Sequence, residues 1–244
     1  IAMNVYTDIP GALDKMSILS NVRVFELKNK IRVKLLVALM KLGALVPRAH
    51  LSELKLQVPK GVCNPGPFPG LSIEALLTEG VHDLGAGDTV LDMGTGSGVW
   101  ALLALKKGAT VCATDLPHIP FDQVLENARL NELDPPELLG GDLFEPVGKR
   151  TFKRVLFNPP FHLGVPRNQS EMAYLGGANG ELLRRFLKEL PAHLTHDGSA
   201  CIIIPELEWS LYADELASFE VSVRQRHWVP FLGSVYCLEL RVSS

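Results

Sequence analysis

The stretch Thr89-Val-Leu-Asp-Met-Gly-Thr-Gly-Ser-Gly98 decides the fold of this chain. Its first half is a short apolar run typical of a buried strand, and its second half is a glycine-rich turn that leads into the apolar segment 98–107. Glycines allow positive φ angles and let a ligand approach the backbone closely. The following helix begins with unpaired N–H groups. The stretch therefore predicts a strand, a turn and a helix beside a nucleotide-type ligand.

Outward from this stretch, helical and strand patterns alternate. Helices are predicted over 72–78, 98–107, 121–130 and 181–194, and strands over 89–93, 110–114, 137–139, 154–157 and 200–204. Two further extended runs, 221–228 and 234–242, are typical of a closing antiparallel pair. Strands that alternate with helices predict an α/β fold with a doubly wound, seven-stranded, mostly parallel sheet. Ligands of such sheets bind beyond the carboxyl ends of the strands.

The N-terminal region differs in charge from the rest of the chain. The net charge of the 244 residues is −3, but residues 1–60 hold ten Lys or Arg and four Asp or Glu. An apolar stripe from Leu27 to Leu42 predicts a helix, and the Pro- and Gly-rich run 59–70 predicts a loop. We therefore expect a mainly helical, basic extension over 1–58 and a ligand-binding domain over 59–244. The basic charge indicates either a contact with an anionic partner or a solvated helix face.

Composition excludes several other classes of protein. The net charge disfavours broad, non-specific nucleic-acid binding. No apolar run is long enough to span a membrane, and no secretory signal is recognisable, so a cytoplasmic protein without a membrane partner is expected. Cys63, Cys112, Cys201 and Cys237 are far apart and lack metal-binding spacing, so no metal is expected and reduced thiols are favoured. The oligomeric state stays open.

The glycine pattern distinguishes two cofactor families. A dinucleotide fingerprint requires a third glycine at position 99, where Val99 stands, so a nicotinamide oxidoreductase is disfavoured. An acid two residues before the first glycine instead resembles motif I of class I S-adenosylmethionine-dependent methyltransferases, which have a Rossmann-like fold. The resemblance implies that the acid and the loop hold the methionine part of S-adenosyl-L-methionine. The matching residues are Asp92, Gly94, Thr95, Gly96 and Gly98.

Two later acids extend the candidate cofactor site. Asp115 ends the second strand, 23 positions after Asp92, where a carboxylate can accept two hydrogen bonds from a ribose diol. Leu116 follows it. Asp142 and Leu143 follow the third strand and resemble the adenine-binding segment of these enzymes, in which an acid meets the adenine amino group and an apolar neighbour covers the ring. The alternative for Asp142 is a solvated loop acid.

The segment Asn158-Pro159-Pro160-Phe161 follows the fourth strand. Consecutive prolines fix the backbone and remove two N–H donors. The Asn158 side-chain oxygen and the Pro159 carbonyl can then accept both hydrogens of a planar –NH₂ group, while Phe161 stacks on that group. The tetrapeptide resembles the N/D-P-P-F/Y signature of amino-methyltransferases, which implies catalytic roles for Asn158, Pro159 and Phe161, with Asn158 also beside the cofactor.

The acceptor is less well defined. The run 158–164, NPPFHLG, resembles enzymes that methylate guanine N2 in ribosomal RNA, whereas 176–180, GGANG, resembles release-factor glutamine methyltransferases. RNA, a protein glutamine and a small metabolite all stay open as acceptors, as does a non-catalytic cofactor-binding module. His162 is expected either to contact substrate or to cap a turn. Tyr174 is expected as a surface aromatic or as part of a lid.

Overall fold

A computed structural model describes residues 48–58, 62, 64–66, 72–117, 121–230 and 232–243 of the chain. The helix predicted from Leu27 to Leu42 and the thiol of Cys63 lie outside these residues. The strands are β1 (Arg48–His50), β2 (Lys55–Gln57), β3 (Thr89–Met93), β4 (Thr110–Asp115), β5 (Glu137–Gly140), β6 (Phe152–Phe157), β7 (Leu194–Pro205), β8 (Phe219–Val229) and β9 (Gly233–Val242). The α-helices are α1 (Glu74–Gly80), α2 (Val99–Lys106), α3 (Asp122–Leu130), α4 (Gln169–Met172), α5 (Glu181–Glu189), α6 (Glu206–Trp209) and α7 (Ala213–Leu216).

Seven strands form one sheet in the order β5-β4-β3-β6-β7-β9-β8. The first five strands in this order run parallel, and β9 pairs antiparallel with both β7 and β8. The order reverses beside β3, where the chain goes from β5 back across the sheet to β6. This topology confirms the predicted doubly wound sheet with its closing antiparallel pair.

Helices cover both faces of the sheet. One hydrophobic cluster joins Val90 and Leu156 to α1 and α2, and a second joins Leu91 and Val155 to α5. Alternate residues of a strand point to opposite faces, so a strand between two helical layers must be apolar throughout. This requirement explains the nearly continuous apolar runs of the central strands. Trp100 lies in the first cluster, 2% exposed, and its indole donates to the Leu77 carbonyl.

Two boundaries on the carboxyl side differ from the prediction. Helix α5 ends at Glu189 rather than at 194, and a 3₁₀ turn over Leu190–His193 contains Pro191. Proline lacks the N–H that would continue the α-helical ladder. Strand β7 begins at Leu194 instead of 200, and its pairing with β6 is irregular between Phe152 and Arg154.

Two strands of the predicted N-terminal extension, β1 and β2, form an antiparallel ribbon. Leu54 and Leu56 are buried in the same cluster as α1 and α2. The Asn127 side chain accepts from the Gln57 amide and donates to the Gln57 carbonyl, and Asn131 bonds in the same way to Lys55. The described part of the N-terminal region therefore packs directly on the sheet domain. A boundary at residue 58 stays a prediction.

A partly buried network of charged side chains connects the end of α1 to strands β6, β8 and β9. The Arg154 guanidinium is buried beneath the sheet and donates to the Gly80 carbonyl and to Asp83. Arg224 donates to both Asp83 oxygens and to Glu239. Burial opposes ionisation of Asp83, but the hydrogen bond from Arg224 and the charge of Arg154 lower its pKa to about 2.

Two expected absences can be checked only over the described ranges. In these ranges no helix is long and apolar enough to cross a membrane. No group of His, Cys, Asp or Glu within the same ranges could hold a metal ion. Cys112, Cys201 and Cys237 are buried and free, as predicted for those three thiols.

Candidate active site

The polar residues predicted as site residues follow neighbouring parallel strands. In the sheet β3 lies between β4 and β6, and β4 lies beside β5. Met93 pairs with both Thr114 and Phe157, and Asp115 pairs with Gly140. Because these strands end at the same edge, the structure brings together the glycine loop, the two later acids and the Asn-Pro-Pro-Phe loop. The edge lies beside the point where the strand order reverses, where ligands of such sheets bind.

The glycine loop adopts a backbone that requires glycine. Gly94, Gly96 and Gly98 have φ angles of 64°, 54° and 83°. A Cβ on Gly98 would lie 2.9 Å from a Val124 methyl group, and one on Gly96 would lie 3.0 Å from a Val62 methyl group. The loop therefore combines left-handed backbone with close packing. The contact with Val62, from the Pro- and Gly-rich run, was not foreseen in the sequence.

Asp92 lies under this loop and caps the helix that follows it. One carboxylate oxygen accepts from the Thr95 hydroxyl at 2.7 Å and from the Ala101 amide at 2.9 Å. The Ala101 amide is one of the unpaired donors in the first turn of α2. Burial, together with the nearby charge of Asp115, raises the pKa of Asp92 to about 7, although these two hydrogen bonds lower it. Asp92 therefore changes its charge near neutral pH.

Asp115 joins the second strand to the glycine loop. One carboxylate oxygen accepts from the Gly96 amide and the other from its neighbour Leu116, each at 2.8 Å. A carboxylate offers about four acceptor positions, a number that suits the binding of a diol. The side chain is half-buried at the strand end. Its geometry fits the ribose-binding role implied by the resemblance.

Asp142 and Leu143 follow β5 at the same edge. The Asp142 carboxylate forms an ion pair with Arg185 of α5 at 2.8 Å, and both side chains are partly exposed. Leu143 has a φ of 48°, rare for a residue other than glycine, and its side chain is 6% exposed in the core. Sequence reasoning missed Arg185, which is 43 positions from its partner.

The Asn-Pro-Pro-Phe loop presents its polar atoms at this edge. Asn158 is half-buried, and its side chain forms no hydrogen bond to another residue that the structure describes. Pro159 is buried, and Phe161 is half-buried with its ring edge-on to His162. A Cβ on Gly176 would lie 2.2 Å from the Pro160 carbonyl oxygen. Only glycine at position 176 permits this approach.

His162 anchors the loop rather than capping an exposed turn. Its amide donates to the Tyr174 carbonyl at 3.0 Å, and its carbonyl accepts from the Gly176 amide at 2.9 Å. The ring is fully buried, with Nδ1 3.1 Å from Oε1 of Glu208 in α6. Tyr174 is buried as well, 7% exposed, so the expectation of a surface aromatic is wrong. No local sequence signal pointed to Glu208.

The residues at this edge fit S-adenosylmethionine. The positive φ angles of the glycine turn place its backbone at this edge, and carboxylates stand at or near the ends of three neighbouring strands. These carboxylates match the amine, diol and amino groups of that molecule. Asn158, whose amide has no hydrogen-bond partner among the described residues, directly follows β6, the strand beside β3.

Two solved structures with the same fold are methyltransferases. One is the ribosomal protein L11 methylase of Lactobacillus delbrueckii subsp. bulgaricus, with a TM-score of 0.55 and 23% identity over 77% of this chain and 86% of that one. Another is the 16S rRNA N2 G1207 methyltransferase of T. thermophilus, solved with AdoMet and guanosine, with a TM-score of 0.59, 18% identity, 80% coverage of this chain and 50% of that one. The fold is thus that of the Rossmann-like methyltransferases.

The sequence places the chain more narrowly. The family model "Methyltransferase small domain" matches residues 73–210, which include every candidate site residue. The chain belongs to the methyltransferase small domain family.

Curated relatives of the chain modify protein or RNA. The ribosomal protein uL3 glutamine methyltransferase of Bradyrhizobium diazoefficiens is 35% identical over 46% of this chain and 39% of its own length. Ribosomal RNA small subunit methyltransferase C of Alcanivorax borkumensis is 28% identical over 58% of this chain and 44% of its own length. The chain therefore matches less than half the length of these two relatives.

Proposed function

We propose that this protein transfers a methyl group from S-adenosylmethionine to a planar nitrogen held by the Asn158–Phe161 loop. The observation that carries the proposal is the position of Asn158. Its amide has no partner among the described side chains and backbone groups, and it follows β6, the strand beside the glycine loop. A half-buried amide without a partner at a cofactor loop is suited to receive a substrate.

The cofactor-binding residues divide by the part of the molecule that each would hold. Bound S-adenosylmethionine supplies an electrophilic methyl group on its sulfonium. Asp92, Thr95 and the glycines Gly94, Gly96 and Gly98 shape the pocket for its methionine part. Asp115, with Leu116, accepts from the ribose hydroxyls. Asp142 accepts from the adenine amino group, and Leu143 supports the adenine side from the core.

The acceptor nitrogen would be held by oxygen atoms of the loop. The side-chain oxygen of Asn158 and the carbonyl of Pro159 accept its two hydrogens, which turns the lone pair toward the methyl group. Phe161 packs on the planar group that bears the nitrogen. Rate then comes from alignment and from local electrostatics. No strong base is needed, because the proton leaves after the methyl group has been transferred.

The relatives support RNA or protein as the acceptor class. Both kinds occur among them, in the uL3 glutamine enzyme and in the ribosomal RNA enzyme.

The experiment uses purified protein and methyl-labelled cofactor with three acceptor pools: ribosomal RNA, a protein lysate and a small-molecule extract. We expect label in one pool and a loss of about 100-fold or more with Asn158→Ala, at unchanged affinity for S-adenosylhomocysteine. Asn168→Ala is the control, because that exposed side chain only caps the short helix α4. Near-normal turnover in Asn158→Ala, or no label in any pool, would contradict the proposal.

A further inference from the structure

One surface beside the candidate site combines exposed aromatic and cationic side chains. Trp228 of β8 is 65% exposed, although tryptophan is usually largely buried. Arg226, two residues earlier on the same face, is exposed as well. The buried Tyr236 and the half-buried Trp209 lie beside Arg226 and support it; we call these four residues the aromatic–arginine surface.

The four side chains are contiguous. Arg226 lies opposite Tyr236 in the pairing of β8 with β9, and its guanidinium is 5.8 Å from the centre of the Tyr236 ring. The Tyr236 ring packs edge-on against Trp209, with 5.3 Å between the centroids. Trp228 pairs with Ser234, whose hydroxyl accepts two hydrogen bonds from Arg226.

This surface begins next to the catalytic loop. Strand β7 lies between β6 and β9, and Pro205 at its carboxyl end pairs with Val235. Trp209 directly follows Glu208, which contacts His162 of the loop at 3.1 Å. The carboxyl end of β8, where Trp228 stands, lies at the same edge of the sheet. A path of touching residues thus leads from the loop to Arg226.

Arg226 differs from the neighbouring arginines in its ion pairing. Arg224 and Arg241, on the same two strands, form ion pairs with Asp83 or Glu239. In the part of the chain that the structure describes, no carboxylate pairs with Arg226. Its positive charge is therefore available to an anionic partner, although the whole chain carries a net charge of −3.

We infer that the aromatic–arginine surface binds the RNA strand that flanks the methylated nucleotide; this inference rests on the proposed function. Exposed rings stack on unpaired bases of any sequence, and a neighbouring guanidinium contacts a phosphate or stacks on a base. A glutamine-bearing protein loop would instead require hydrogen-bond partners for its backbone, and an unpaired cation beside an exposed tryptophan is better suited to a polyanion.

The binding test does not depend on turnover. Anisotropy of a fluorescein-labelled, mixed-sequence single-stranded RNA is measured with the full chain and S-adenosylhomocysteine. We expect Trp228→Ala and Arg226→Ala each to weaken binding about tenfold, and Trp228→Phe to restore most of the affinity. Leu125→Ala and Arg129→Ala, which remove an exposed apolar group and an equal charge from α3, should change little.

Turnover then separates this inference from the proposed function. In the Trp228→Ala/Arg226→Ala double variant we expect a higher KM for RNA, with kcat and cofactor affinity unchanged. RNA affinity equal to that of the α3 controls would overturn the inference. Label that enters only protein, at a rate unaffected by the double variant, would overturn it while leaving the proposed function intact.

Discussion

The imidazole of His162 and the carboxylate of Glu208 form a contact of 3.1 Å in which both side chains are almost completely buried. His162 directly follows the Asn-Pro-Pro-Phe loop at the end of β6, and Glu208 lies in α6 after β7. The contact therefore fixes the spacing between the loops that follow two neighbouring strands. Burying such groups costs free energy unless they are paired, so each depends on the other.

Removal of this carboxylate should disturb the loop more than the cofactor site. With Glu208→Ala we expect a loss of kcat of at least tenfold at unchanged affinity for S-adenosylhomocysteine, because His162 loses its buried partner. Glu208→Gln retains an acceptor oxygen and should recover most of the rate. Steady-state kinetics and calorimetry measure the two effects. A parallel loss of cofactor affinity in Glu208→Ala would mean that the contact stabilises the whole domain instead.

Gly176 should be intolerant of any side chain. A Cβ at this position would meet the Pro160 carbonyl at 2.2 Å, and the neighbouring atoms are backbone that cannot turn aside. Gly176→Ala should therefore displace the loop and lower turnover about 100-fold or more, while cofactor still binds. Gly85→Ala is the matched control, because nothing lies within 4 Å of its added Cβ. Equal turnover in the two variants would show that the Asn-Pro-Pro-Phe loop remains active when the added Cβ displaces it.

The parts of the fold that the sequence predicted are those governed by local pattern. Strands β3 to β6 are apolar because both faces are covered, and glycine or proline marks their ends. The positions of Asp92 and Asp115 followed from their places at those ends. The late start of helix α1 and the end of α5 at Glu189 were missed by a few residues, since hydrophobic spacing does not register a terminal turn.

The contacts that the sequence did not predict join distant parts of the chain. Glu208 is 46 positions from His162, and Arg185 is 43 positions from Asp142. Tyr174 was expected at the surface because it lies in a loop, yet the pairing of this segment with the residues after the Asn-Pro-Pro-Phe loop leaves it buried. The start of β7 was not predicted because His196 and Asp197 are polar and exposed, which interrupts the apolar pattern of the strand.

The charged network under α1 should contribute strongly to stability. Arg154→Met removes a buried guanidinium and leaves the Gly80 carbonyl and Asp83 with fewer donors. We expect a loss of about 2 kcal/mol in the free energy of unfolding, because the buried Gly80 carbonyl loses its donor, while Asp83 keeps its pair with Arg224. Urea denaturation measures the loss. Arg129→Ala, which breaks an exposed pair with Glu126, should change stability by less than about 1 kcal/mol.

Asp92 should make stability depend on pH. Its pKa is raised from 3.8 to about 7 in the folded protein, so the folded state holds a proton that the unfolded state releases between these values. The bound proton stabilises the folded state fully below about pH 4, and this stabilisation is lost as the pH rises to about 7. It amounts to at most about 4 kcal/mol in the free energy of unfolding.

The variant Asp92→Asn tests this dependence, because it keeps an acceptor for Thr95 and Ala101 but cannot ionise. The melting temperature of the variant relative to the natural chain should therefore rise steadily from pH 4 to pH 7 and level off above it. If the melting temperatures of the two proteins instead changed with pH in parallel, Asp92 would be ionised over the whole range. Its hydrogen bonds would then lower its pKa by more than burial raises it.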